Sequence, residues 1–501
     1  MDRRQSSLRN MLSSGVASWA EFFLGMLASI LIARSLLPEQ YGHFSFMMWC
    51  ATFFVIASNG GLSTGVIKFV AESNSDDRRL VLAWLARIQM AFQALVSMAA
   101  IAGYFLFRDF FAASAPPLVW ALLLAASLLK AGYIFWMSAS QGEERFSRIA
   151  RVVLFVAPIN LALNAWVAWL DPTVMHFVMV YLVTSLAYRL MIAPTRIRAD
   201  NAPDQDLRAR IRRHLWITGA SIVLSFMVLR QSEVFFLRLF ADSSDIAFFT
   251  IAYTIGFALA ALIPGAYASL LLPMMSRQST DSDRGGDSLQ QALRYLMLLA
   301  APMAVGTWLL GDALIQTLYG PAYMTAAGTL RWVIGGVAIS AVCQAAVSLL
   351  VSRDQQTRVL LLNLASAAAV VLVDILLIFH FGLAGAGPAF LVGCLVHGVL
   401  MSRAALSFTG SRWPWRNTVR TVAAAAIPAA PVWLILVLPP WQGAPIWPML
   451  LAALTYTALY PLSSLITGCW SDADLERMQQ LVHHLPAPLA QLGVTVLRKF
   501  R

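Results

Sequence analysis

Residues Ile30-Leu-Ile-Ala-Arg-Ser-Leu-Leu-Pro-Glu-Gln-Tyr-Gly-His-Phe-Ser-Phe46 hold two apolar runs apart with one short polar turn. The first run reaches back to residue 12 and stops at Arg34, and the second continues to residue 67. Each is long enough to cross a hydrocarbon layer of about 30 Å, which takes about 20 residues at helical rise. The same alternation recurs along the whole chain. It predicts fourteen spans, at 12–33, 43–67, 81–107, 117–140, 149–170, 173–193, 215–238, 246–273, 291–311, 325–351, 358–380, 383–407, 419–438 and 446–468. The tightest separation is His380-Phe-Gly-Leu383. The first run is too long for a signal-peptide core and lacks a small-residue cleavage site, so it is expected to stay as the first span.

Of the 501 residues, 59% are apolar and 12% charged, against about 25% charged in a soluble domain. Mean hydropathy is +0.69. A soluble chain of this length would need a polar coat for each of its domains, and the residues for that coat are missing. The net charge of +11 and isoelectric point near 9.9 raise nucleic acid as a partner. That reading needs basic residues gathered on one solvated face, whereas the arginines here lie between apolar runs; no nucleic acid is expected. Cys50, Cys343, Cys394 and Cys469 are scattered in apolar stretches without metal-ligand spacing. They read as small buried hydrophobes, and neither a metal nor a cofactor is expected.

With the N-terminus placed in the cytoplasm, thirty lysines and arginines fall on inner segments and span ends. Four, Arg34, Arg108, Arg238 and Arg331, fall on outer ends, while Lys130 and Arg230 lie within spans. This is the positive-inside distribution, and one miscounted span would scramble it. The sequence thus predicts an all-α integral membrane protein of about 14 transmembrane helices with both termini cytoplasmic.

The longest polar break, Pro194–His214, divides the chain. The predicted organisation is a six-helix half over 1–195, a basic cytoplasmic linker over 196–214 and a second six-helix half over 215–410. Helices 13 and 14 follow over 411–470, then an amphipathic cytoplasmic tail over 471–501. Sliding the second half by 204 residues aligns Gly15 with Gly219, Phe22 with Phe226, Arg34 with Arg238, Phe44 with Phe248 and Gly61 with Gly265. Parallel repeats of this kind form a transporter architecture with the substrate between halves. In the tail, Ser471-Asp-Ala-Asp474 looks like a helix start. The apolar stripe after it and the closing Arg498-Lys-Phe-Arg501 suit a helix lying on an anionic leaflet.

The chain carries no metalloprotease, Walker or dinucleotide-loop motif. Outer loops are short apart from the stretch around Asp312–Met324, which argues against a membrane glycosyltransferase or polymerase. No catalytic residue is expected. Without an ATPase motif, transport work must come from an ion gradient such as H+ or Na+, the membrane potential or the substrate's own gradient.

Charge inside the membrane is what remains. Glu21, Lys130, Arg230, Glu233 and Asp374 sit well inside apolar runs, with Lys68 and Arg87 nearer the inner face. A charge at mid-bilayer costs about 2.5–3.5 kcal/mol on insertion scales, so each is expected to face protein or water. Two readings stay open. Arg230 and Glu233, three apart on one helix, can pair as a structural staple. Alternatively, Lys68, Lys130 and Arg230 line a cationic cavity, with Glu21, Glu233 and Asp374 as charge or coupling partners. Lys68 and Arg87 can also snorkel to the interface. Asn160 and Asn164 can bond neighbouring helices or contact sugar hydroxyls. His397 reads as a satisfied core residue.

The run from Ile30 to Phe46, with its arginine, paired leucines, acidic residue and Tyr-Gly, resembles the opening of the polysaccharide-exporter flippases. Asn59-Gly-Gly-Leu-Ser-Thr-Gly-Val-Ile-Lys-Phe-Val70 is similar to the end of their second span. Glu233 and the run into Asp242-Ser-Ser-Asp-Ile-Ala-Phe-Phe249 resemble their seventh span, although the acid there is commonly Asp and a Gly-x-Tyr near Ile246 is missing. These proteins belong to the multidrug/oligosaccharidyl-lipid/polysaccharide exporter superfamily. The resemblance implies two six-helix bundles in a bacterial inner membrane, flipping undecaprenyl-diphosphate-linked sugar units between leaflets. It implies as partners a polyprenyl-diphosphate-linked glycan, membrane lipid and a polysaccharide polymerase or glycosyltransferase. A cation-coupled exporter of drugs or other small amphipathic molecules is the alternative. Spans 13 and 14 (Thr418–Gly468), with no charge beyond Arg420, either form a groove for a lipid tail or simply pack.

Overall fold

Pro38, whose fixed φ suits the first turn of a helix, opens the second span, and two glycines break it. In the computed structural model α1 covers Asp2–Ser35, α2 Pro38–Asn59 and α3 Leu62–Glu72. Between α2 and α3, Gly60 and Gly61 have φ of 42° and 80°, a left-handed step that side chains rarely adopt. The structure describes residues 2–192, 203–229, 231–262, 264–277, 282–437, 446–472 and 474–476. Next come α4 (Ser75–Leu106), α5 (Arg108–Ala112), α6 (Pro117–Gly142), α7 (Phe146–Leu170) and α8 (Val174–Met191). They are followed by α9 (Gln205–Leu229), α10 (Ser232–Phe240), α11 (Ser243–Leu262), α12 (Pro264–Arg277) and α13 (Ser282–Leu318). The chain continues through α14 (Ala326–Ser352), α15 (Gln356–Phe381), α16 (Leu383–Thr409), α17 (Trp415–Ala426), α18 (Ala429–Val437) and α19 (Ile446–Ile466).

Among the described residues, 13 helical segments are long and apolar enough to cross a membrane, and no strand occurs. They match the expected spans except at the seventh. There α9 and α10 flank residue 230, which lies outside the described residues, and Arg212-Arg213 shorten the apolar stretch at its other end. The closest pair of spans, α15 and α16, is joined through Gly382 alone, at φ 54°. All four cysteines are free and buried, as their apolar surroundings predicted.

Packing sorts the helices into two compact units. The first comprises Met1–Thr250 with Asp374–Leu383, the second Ile251–Val373 with Ala384–Arg501. Within the first, α1 lies along α7, α6 packs on α2, α3 and α8, and α9 meets α2 and α3. The α3–α9 approach is between backbones: a Cβ on Gly61 would stand 2.7 Å from the Gly219 nitrogen. Large apolar side chains such as Phe105, Leu106 and Trp169 point outward, the pattern of a surface solvated by hydrocarbon.

In the second unit α13 packs on α14, α17 and α19, around a core that includes Leu289, Leu293, Leu296, Leu349 and Met401. Just past α19 the expected helix start is present as a reciprocal cap. The Ser471 backbone N–H donates to Asp474 Oδ2 at 3.1 Å, and the Asp474 N–H donates to Ser471 Oγ at 3.4 Å. Arg294 and the Tyr295 hydroxyl, both on α13, also donate to the Asp474 carboxylate, tying this turn to the helix. The amphipathic tail expected beyond it lies outside the described residues from 477.

Burial alone pushes the Asp474 carboxyl up, but hydrogen bonds from Ser471 and Tyr295, with the Arg294 charge, bring it below the usual carboxylate range. A depressed carboxylate stabilises the fold above its unfolded value, near 4, and loses that contribution as pH falls through the folded value. Asp474→Asn is expected to lower stability at neutral pH by about 1–3 kcal/mol. The deficit should shrink below pH about 4, read as thermal unfolding of the purified protein across pH. An equal deficit at every pH would assign the effect to packing rather than charge.

Candidate functional site

Lys130 lies midway along α6, partly buried between α1 and α8. Its Nζ stands 3.7 Å from Glu21 Oε1 on α1. The same nitrogen lies 4.8 Å from the ring centre of Tyr133, one turn along α6, and 4.0 Å from that of Tyr188 on α8. The two rings are themselves 4.6 Å apart and buried. The Glu21 charge reaches both tyrosines. A cation among aromatic faces is stabilised by their quadrupoles yet remains an ammonium with donors to offer. Helix α6 is fixed around it by Gln89 and Gln93 of α4, which donate to the carbonyls of Ala131 at 2.9 Å and Leu128 at 3.0 Å.

A second constellation is acidic. Glu233, in the first turn of α10, is 2% exposed and Asp374 of α15 is fully buried. Ser232 Oγ donates to Asp374 Oδ2 at 2.6 Å, which joins the start of α10 to α15. Glu233 Oε2 and Asp374 Oδ1 have no hydrogen-bond partner among the described residues. Two carboxyls buried together need a balancing proton, cation or cationic side chain. The donors are all hard oxygens, which suit H+ or an alkali cation better than a soft transition metal.

The other expected residues fall elsewhere. Lys68 is exposed on α3, over the ring of Phe69 at 5.5 Å, and shares no partner with Lys130 among the described residues. Arg230, and with it the expected Arg230–Glu233 pair, lies outside the described residues. Asn164 Nδ2 donates to the Asn160 carbonyl at 2.7 Å and to Asn160 Oδ1 at 3.0 Å, so its amide hydrogens are engaged on their own helix. His397 lies 3.4 Å from Ser366 Oγ, as a satisfied core histidine should. Arg87 is exposed on α4, consistent with snorkelling.

Sequence reading missed Tyr133, Tyr188 and Ser232. Tyr133 was legible, because it sits three residues from Lys130 on one helix face. Tyr188 and Ser232 were not, since each meets its partner through tertiary packing alone.

The fold is similar to that of the lipid II flippase MurJ in an inward closed conformation. The TM-score is 0.70 at 13% identity, covering 90% of this chain and 98% of that one. It is also similar to an inward-facing multidrug resistance MATE family transporter of the MOP superfamily, with TM-score 0.61 at 16% identity, over 78% of this chain and 96% of that one. A MOP superfamily transporter from Pyrococcus furiosus gives 0.57 at 14% identity, over 82% and 96%. At these identities the likeness is one of fold. No curated protein matches the chain in sequence. The family model for polysaccharide biosynthesis proteins matches residues 31–328, well over half the chain, and the chain belongs to that family.

Proposed function

We propose that this protein is a flippase that carries undecaprenyl-diphosphate-linked oligosaccharide from the inner to the outer leaflet by alternating access, for surface polysaccharide export. Family membership and fold support the reading, and the observation that carries it is Lys130 in its tyrosine box with Glu21 at 3.7 Å. A diphosphate crossing hydrocarbon needs a cation inside the protein, while its polyprenyl tail can stay in lipid. In the empty protein Glu21 balances Lys130. When the diphosphate arrives, Lys130 exchanges carboxylate for phosphate. Arg230 and Lys68 add to the positive field along the path, and Asn160 supplies a contact for sugar hydroxyls. Glu233 and Asp374 hold the coupling H+ or Na+, whose binding and release bias the two access states. A polysaccharide polymerase or glycosyltransferase works beside it.

Deletion of the gene is expected to abolish an exported glycan while its lipid-linked precursor collects on the inner leaflet, measured by surface-polysaccharide analysis and lipid extraction. Normal glycan with raised sensitivity to cationic drugs would instead establish the second reading, a cation-coupled drug exporter, which the likeness to a multidrug transporter favours. Both readings place the termini in the cytoplasm of a bacterial inner membrane. Single cysteines at Asp354 and Asp171 should therefore label from the cytoplasmic and outer sides respectively. Labelling of both from one side would overturn that orientation.

A further inference from the structure

Small side chains on three helices of the second unit leave a cavity of about 590 Å³ between α13, α14, α16 and α17. Ala300, Ala301, Ala338 and Gly398 make the room, where leucine-sized residues would close it. At the rim Leu395, Val399 and Val422 are about half exposed, so the cavity opens sideways to hydrocarbon. Polar atoms in the wall are already engaged. Thr418 Oγ1 donates to the Pro414 carbonyl at 3.1 Å and accepts from Trp413 Nε1 at 3.0 Å, and Thr421 Oγ1 donates to Cys469 Sγ at 3.8 Å. Ser402 Oγ lies 3.8 Å from Cys343 Sγ. The interior therefore suits a hydrocarbon chain.

Two further observations fix what kind. The lining on α16 runs from Leu395 to Leu406, about 17 Å at helical rise, close to half of a hydrocarbon core of about 30 Å. The cavity is one leaflet deep. At the end where α16 leads into α17 stand Trp413, Trp415 and the exposed Arg403, all in the lining. Indoles and guanidinium groups belong at head-group level. Arg412, Arg416 and Arg420 follow, and no acidic residue occurs from 375 to 471. A hydrocarbon slot of this depth with arginines at its mouth complements an anionic two-chain lipid. A polyprenyl tail of many isoprene units would outrun it.

We infer that this cavity binds one acyl chain of an anionic phospholipid, whose phosphate sits on Arg403 and the neighbouring arginines. The lipid is a resident of the second unit and not the cargo, so the site stands whether or not the flippase reading does. Purified full-length protein should be offered phosphatidylglycerol, phosphatidylcholine with the same chains, or undecaprenyl phosphate, with retained lipid counted by native mass spectrometry. One phosphatidylglycerol should be retained, about fivefold more strongly than phosphatidylcholine. Arg403→Gln, at an exposed position, should erase that preference without changing elution from size exclusion. Ala338→Phe should block both phospholipids; if that variant does not fold, Ala301→Leu tests the same space from α13. Equal retention of the two phospholipids, retention unchanged by both filling variants, or preferential retention of undecaprenyl phosphate would each overturn the inference. The last result would assign the cavity to a cargo tail.

Discussion

Lys130→Ala is expected to reduce glycan export by about 10–100-fold, the loss of a charge-assisted phosphate contact of about 1.5–3 kcal/mol. The variant should still insert, because alanine suits α6 and the neighbouring tyrosine rings continue to pack on each other. It leaves Glu21 without its counter-charge, so a modest stability cost accompanies the transport defect. The double variant Lys130→Ala/Glu21→Gln separates the two effects. Removing both charges should restore stability and leave export lost. If the double variant exports normally, the pair is a structural staple and the cargo's phosphates are held elsewhere. Lys130→Arg should rescue partly: the charge returns, but a planar guanidinium must fit a box whose rings lie 4.0 and 4.8 Å from an ammonium.

Gly42→Ala should be the most damaging single methyl group in the first unit. A Cβ on Gly42 would stand 1.7 Å from the carbonyl oxygen of Ser243. That neighbour is backbone, so no rotamer change relieves the overlap, and the start of α2 must move away from the start of α11. The cost is expected to exceed about 3 kcal/mol, the upper range for overpacking. Loss of folded protein from detergent extracts and a lowered unfolding temperature would report it. Gly103→Ala is the control, since nothing lies within 4 Å of the added carbon. There the better helix propensity of alanine, about 1 kcal/mol, should show as a small gain. Equal behaviour of the two variants would refute the close approach.

Much of this architecture was legible in one dimension. Hydrocarbon sets span length, and loop charge sets the count, so the spans follow from apolar runs and arginine positions. The Tyr41-Gly42 pair marked a likeness to exporter flippases before any contact was known, and the backbone approach at Ser243 supplies its physical reason. Gly61 lies where a span is divided, between α2 and α3. What a sequence does not encode locally is which buried charges meet. Lys130 and Glu21 were both visible as charges in apolar runs, yet their pairing joins residues of different helices through packing. Asn160 and Asn164 illustrate the converse: their spacing of one turn already contained the hydrogen bonds that engage Asn164.

The short segment Asp374–Leu383, which packs with the first unit although most of its neighbours in sequence pack with the second, has a consequence for biosynthesis. Ser232 and Asp374 are 142 residues apart. At about 5–20 residues per second, the ribosome needs about 7–28 s to travel from one to the other. Throughout that interval α10 must reside in the membrane with Glu233 and Ser232 lacking Asp374. The first unit is therefore completed late in translation, and its acidic centre is assembled only after about half of the second unit's chain has already emerged.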